Sequence, residues 1–189
     1  EQVALAHGVL GTILEPDERV HIPSLQVRDA PVMNTWTMQN KHMNWDIEPG
    51  SKVLDVGSGG WPFSKATHLA DLHEGETSHR FEKLDRDHRP FSNVDICDMP
   101  FEDKSFDFVF CSHVLEHLDD PGKAMRELQR VAHRGYIEVP TRISDVLMNF
   151  THMEDHHRWH GLRLADTLVL THWQDSERRS MGSDHFFQL

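Results

Sequence analysis

The chain is short of basic residues. Nineteen Lys and Arg stand against 31 Asp and Glu, giving a formal net charge of −12. With no basic surplus to replace phosphate counterions, a DNA or RNA backbone is not expected as the main partner. Long apolar runs are missing too, and no stretch approaches the ~20 residues that a membrane-spanning helix needs. No secretory signal pattern opens the chain. Cysteine is scarce. Cys97 and Cys111 each fall in or beside an expected strand, so free buried thiols in a reducing, cytoplasmic setting are expected rather than a disulfide. Repeats and low-complexity tracts are absent, and nothing in the pattern reports an oligomeric state.

What the chain does have is 189 residues, enough for one domain with a proper core, and 16 histidines. Protonating some of them would make it much less acidic near pH 6. The organising stretch is Val53-Leu-Asp-Val-Gly-Ser-Gly-Gly60. A short apolar run breaking into glycines reads as a buried parallel strand entering a tight turn. Glycine there permits positive φ and lets a ligand approach bare backbone. Asp55 is too polar for a strand centre without a partner, so it is expected to fix the loop or a cationic ligand group. The dinucleotide fingerprint needs a third glycine where Pro62 stands, and no Gly-Lys-Ser/Thr follows for a phosphate loop.

Further strands are expected at Ala66–Asp71, Phe91–Ile96, Phe106–Cys111 and Tyr136–Pro140. Asp120 with Pro121 predicts a helix start, Ala124, Met125, Leu128, Val131 and Ala132 share one face, and Gly135 is expected to mark the helix end. Ser144 to His152 suits a short helix. Residues 158–164 and 167–172 suit an antiparallel hairpin around Ala165-Asp166. The expected fold is α/β: a Rossmann-like, mostly parallel sheet with helices on both faces and a C-terminal antiparallel hairpin that makes the sheet mixed. Residues 1–45 read as an N-terminal lid or cap, 46–140 as the core, and 141–189 as a substrate-side segment. Trp36, Met38, Met43 and Trp45 suit either packing or a lid over a small-molecule site.

The segment Asp95-Ile-Cys-Asp-Met-Pro-Phe101, then Ser105-Phe-Asp, a strand, and Val114-Leu-Glu-His117 resembles the central block of the class I S-adenosylmethionine-dependent methyltransferases. The Val-Leu-Asp-Val-Gly-Ser-Gly turn is similar to theirs, and the resemblance spans roughly residues 50–145. It implies S-adenosylmethionine as cofactor and a small-molecule or glycan-like acceptor, methylated at oxygen or nitrogen. By the same resemblance, Gly57, Ser58 and Gly59 would approach the cofactor's amino acid end, with Asp55 beneath near its ammonium. Asp71 would take the ribose hydroxyls, with Asp85 as the rival. Asp95 and the Ile96 N–H would face the adenine, while Cys111 and Ser112 would line the methionine portion. His113 is the candidate base for a hydroxyl acceptor. Glu116 and His117 belong to the signature and are expected to hold the segment's shape.

Trp61 and Pro62 depart from the family pattern and leave little room for a long helix after the turn. Two other functions stay open. One is a non-catalytic cofactor-binding module or partner subunit of the same fold. The other is a nicotinamide dehydrogenase, against which Pro62 argues. The cluster His152, His156, His157 and His160 has two histidines four apart, but no H-E-x-x-H, so a solvated or substrate-facing role is expected and no metal.

Overall fold

The computed structural model describes residues 35–75, 83–148, 150, 156–175 and 177. The chain divides between His42 and Met43. In the first unit, Thr35–Thr37 (α1) runs into a π-helical turn over Met38–His42, where the Asn40 side chain donates to the Trp36 carbonyl at 2.9 Å. The second unit carries everything below.

Five strands form one wholly parallel sheet: β1 (Val53–Val56), β2 (His68–Asp71), β3 (Phe91–Asn93), β4 (Phe106–Ser112) and β5 (Ala132–Glu138), in spatial order β3-β2-β1-β4-β5. β1 is buried along its whole length, which is why it reads as an uninterrupted apolar run around Asp55. The hairpin β6 (Trp159–Leu164) and β7 (Thr167–His172) is a separate two-stranded sheet, so it does not make the main sheet mixed. It is tied to the core by its first strand: the Gly161 N–H donates to the Pro140 carbonyl at 2.8 Å, and the Trp159 indole donates to the Leu118 carbonyl at 2.8 Å.

Helix α2 (Pro121–Val131) begins as its sequence dictates. The Asp120 carboxylate accepts from the Lys123 N–H at 2.8 Å, and Pro121 needs no partner in the first turn. Ala124, Leu128 and Val131 are buried against Leu54, Val56, Val109 and Cys111. The helix stops at Val131 and β5 starts at once, so Gly135 is not its end mark. Gly135 lies inside β5, where a Cβ would come within 2.7 Å of the Val109 carbonyl, too close for any side chain. A glycine at a close backbone approach looks the same in sequence as one that ends a helix. Helix α3 (Arg142–Leu147) is capped by Thr141, whose hydroxyl accepts from the Ser144 N–H at 3.1 Å. Part of the helix expected to His152 falls outside the described residues.

On the other sheet face, Trp45, Phe63, Phe108, Phe110 and Tyr136 form an aromatic layer. The Trp45 ring meets Phe63 at 5.0 Å and Tyr136 at 4.8 Å edge-on, while Phe63 stacks on Phe110 at 4.3 Å. Trp45 thus serves as packing. No helix joins β1 to β2; Pro62 interrupts the crossover, and Phe63 supplies the cover that a helix would otherwise give.

Candidate functional site

Register fixes where the strands end. Val56 lies beside Ala70 and Cys111, Asp71 beside Asn93, and Ser112 beside Glu138. The carboxyl ends of all five strands therefore share one rim. The chain leaves β1 in one direction for β2 and β3 and returns on the other side for β4 and β5. This reversal is the switch point at which open α/β sheets bind ligands.

The glycine turn occupies that point. Gly57 and Gly59 have φ of 75° and 55°, a region that suits glycine. A Cβ on Gly57 would sit 2.3 Å from a Val114 methyl, so the turn and the segment after β4 touch across the reversal. The turn is bonded inward: the Gly57 and Ser58 N–H groups both donate to the Ala70 carbonyl, at 2.8 and 3.2 Å. The Gly59 N–H donates to the Asp71 carboxylate at 3.1 Å. These groups turn inward and form no outward N–H cluster, and no helix starts after the turn. Above Gly59 there is room, since a Cβ would meet nothing nearer than the Gly57 carbonyl at 3.8 Å. The Ser58 hydroxyl is buried without a hydrogen-bond partner among the described residues.

Asp55 lies beneath the turn, and its carboxylate accepts from the Phe63 N–H at 2.8 Å. It fixes the loop, as its place in the sequence suggested. Burial raises its pKa from 3.8 to about 7, against the lowering effect of that hydrogen bond and of Arg89. Arg89 reinforces the same loop by donating to the Phe63 carbonyl at 2.7 Å.

Both ribose candidates adjoin Gly59. Asp71 ends β2 and also accepts from the His73 N–H at 3.0 Å; the Asp85 N–H donates to the Gly59 carbonyl at 3.0 Å. Asp95 is exposed past β3, with its carboxylate turned back onto the Cys97 N–H at 2.7 Å. Ile96 and Cys111 are core residues. Cys111 has no exposed surface and packs in the cluster that holds Ala124, Leu128 and Val131 of α2, and burial holds its thiol well above the usual range. Of Cys111 and Ser112, only Ser112 is partly exposed, at the rim.

His113 follows β4 with φ of 58°. Its Nδ1 is 3.2 Å from Glu116 and its Nε2 is 3.4 Å from Glu138, whose carboxylate also accepts from the Tyr136 hydroxyl at 2.6 Å. Burial lowers its pKa, but the two carboxylates outweigh that and push it up to about 10. A ring that holds its proton at neutral pH is a cation clamped between two acids. It is poorly suited to the base role expected of it. Sequence reasoning named Glu116 as a residue that holds the segment's shape, but it missed Glu138. Glu138 lies 25 residues downstream in the chain, and only the pairing of β5 with β4 brings it to His113.

Residues 54–137 match the family model described as a methyltransferase domain. The match falls on the parallel sheet β3-β2-β1-β4-β5, with the glycine turn at its reversal. The matched stretch, 84 of the chain's 189 residues, resembles a class I methyltransferase domain. The chain is similar to demethylmenaquinone methyltransferases of Bacillus cereus and Bacillus anthracis, each 28% identical over 63% of this chain and 60% of the relative. The chain thus spans under two thirds of those relatives' length. Among solved structures it is similar to a possible histamine N-methyltransferase from Thermotoga maritima, 14% identical over 68% of this chain and 78% of that one, with a TM-score of 0.44. A second is the [4+2]-cyclase SpnF, 26% identical over 49% and 40%, with a TM-score of 0.36. Among the described residues, no helix of this domain is long and apolar enough to cross a membrane.

Proposed function

We propose that the chain binds S-adenosylmethionine at the carboxyl rim and transfers its methyl group to an oxygen or nitrogen of a small-molecule or glycan-like acceptor. The observation that carries this reading is the glycine turn at the strand reversal, flanked by Asp71 and Asp85. The residues fit the cofactor. The buried Ser58 hydroxyl, without a partner among the described residues, and the open space above Gly59 suit a polar ligand pressed on the turn. Paired carboxylate oxygens suit a ribose diol. The cofactor would supply an electrophilic sulfonium methyl. The protein's part is to hold donor and acceptor in line in a dry cleft. Asp55, buried under the turn, would face the cofactor's ammonium and ionise against it. Ser112 and His113 would border the acceptor side.

The test is isothermal titration of the folded chain with S-adenosylhomocysteine. Saturable binding is expected; none by a well-folded sample rejects the reading. Turnover is then assayed on an acceptor panel that includes demethylmenaquinone, the substrate in the matched relatives' names. One observation favours a second reading, a non-catalytic cofactor-binding module. Both ring nitrogens of His113 are engaged by carboxylates, so the one histidine at the rim that the sequence nominated as a base is occupied. That reading predicts binding without turnover, and methyl transfer to any acceptor removes it.

A further inference from the structure

We propose that Glu116, His117 and His157 form a binding site for a first-row divalent metal ion with a preference for nitrogen ligands, of which Zn2+ is the natural probe. One carboxylate oxygen of Glu116 and one ring nitrogen of each histidine lie within 4.8 Å of one another. Tetrahedral zinc holds such atoms at about 2.0–2.2 Å from the ion. Drawing the three together asks for side-chain adjustment and no change of fold.

The surroundings prepare these groups as ligands. The Nδ1 of His117 meets the His156 carbonyl at 2.5 Å, and the Nδ1 of His157 meets the Asp145 carboxylate at 2.8 Å. An oxygen acceptor at Nδ1 fixes the neutral tautomer with its lone pair on Nε2. A carboxylate behind a histidine fixes the orientation of the ring, the usual second layer around a metal. Asp145 is fully buried and is itself held by the Trp173 indole at 3.0 Å. Glu116 is fully buried, and its Oε2 has no hydrogen-bond partner among the described residues. A buried carboxylate oxygen left this way is costly, and a cation would satisfy it. The backbone holds the two halves together: the Arg158 N–H donates to the Glu116 carbonyl at 2.7 Å, fastening the segment that carries His157 onto the turn that carries Glu116 and His117.

Two imidazoles and one carboxylate suit zinc, cobalt, nickel or iron better than magnesium or calcium. Three protein ligands leave a position open, as in catalytic rather than structural zinc sites. In the sequence His152 and His156 stood out by their helical spacing, with no metal expected there, and His152 lies outside the described residues. The tertiary structure instead pairs His157 with two residues of the Val-Leu-Glu-His signature.

The experiment is metal binding by the full chain and does not involve the cofactor, so its failure is distinct from failure of the methyltransferase reading. The chain is stripped with EDTA and titrated with Zn2+ against a chromophoric chelator, with bound Co2+ read by its ligand-field absorption. One ion per chain is expected. Glu116→Gln, near isosteric, and His117→Gln should each lower affinity by about tenfold or more. Asp145→Asn should weaken it by about 10–100-fold through His157. Circular dichroism identifies any variant that fails to fold, and Glu116→Gln is the deciding one because it keeps volume and shape. No Zn2+ binding by the folded chain overturns the proposal. So does unchanged stoichiometry and affinity in both Glu116→Gln and His117→Gln, which would put the ion on other histidines.

Discussion

Asp55→Asn isolates the cost of burying an acid under the glycine turn. Burial raises the Asp55 pKa from 3.8 to about 7. Between those values the unfolded chain gives up the proton and the folded chain keeps it, so the folded state binds more protons and stability falls as pH rises. The cost is absent below pH 4, grows through the window, and is complete above pH 7. At 1.36 kcal/mol per pH unit it reaches ~4 kcal/mol. Asparagine keeps an oxygen for the Phe63 N–H and removes the titration, but it buries an unpaired amide donor at a cost of about 1–3 kcal/mol. The variant should therefore be the less stable protein at pH 4 and the more stable one at pH 8. The difference between the two should swing by ~4 kcal/mol, or roughly 8–16 °C in Tm for a chain of this size. Thermal melts of both proteins across pH 4–8 measure that swing, and other titrating groups cancel in the difference. A flat difference curve, or one in which the variant loses ground as pH rises, refutes the reasoning. With S-adenosylhomocysteine present, wild-type binding should strengthen as pH rises toward 7 and release protons, since an ammonium calls for the ionised carboxylate. The variant should show neither effect.

Gly57→Ala should destabilise by about 2–4 kcal/mol in urea melts, through positive φ and the collision with Val114. Adding Val114→Ala should recover the collision part, and strict additivity of the two would deny the contact. Asp71→Ala and Asp85→Ala separate the ribose candidates: loss of about 1–3 kcal/mol of S-adenosylhomocysteine affinity is expected for Asp71→Ala in titration calorimetry. An effect confined to Asp85→Ala would reverse the assignment. Ala165 turns the β6–β7 hairpin with φ of 50°, a conformation costly for alanine. Ala165→Gly should therefore raise stability by about 1 kcal/mol in the same melts, and a loss would show that the turn relaxes in solution.

Local chemistry was enough for much of this protein. The run Val53–Val56 breaking into glycines, the aromatic strand at Phe106 and the Asp120-Pro121 helix start each carry their structure in neighbouring residues, because periodicity, capping and turn preference are local. Asp55 could be read as a loop anchor for the same reason: an acid in an apolar strand must find a partner close by. The tertiary structure alone decided what depends on approach between distant segments. Gly135 looked like a helix end until β5 laid it against Val109. Cys111 looked like a ligand wall until α2 covered it. His113 looked like a base until β5 brought Glu138 to it. Glu116, His117, Asp145 and His157 converge only because the hairpin segment docks on the turn after β4. Burial and electrostatic partnership are properties of the packed chain, and no spacing along the sequence records them.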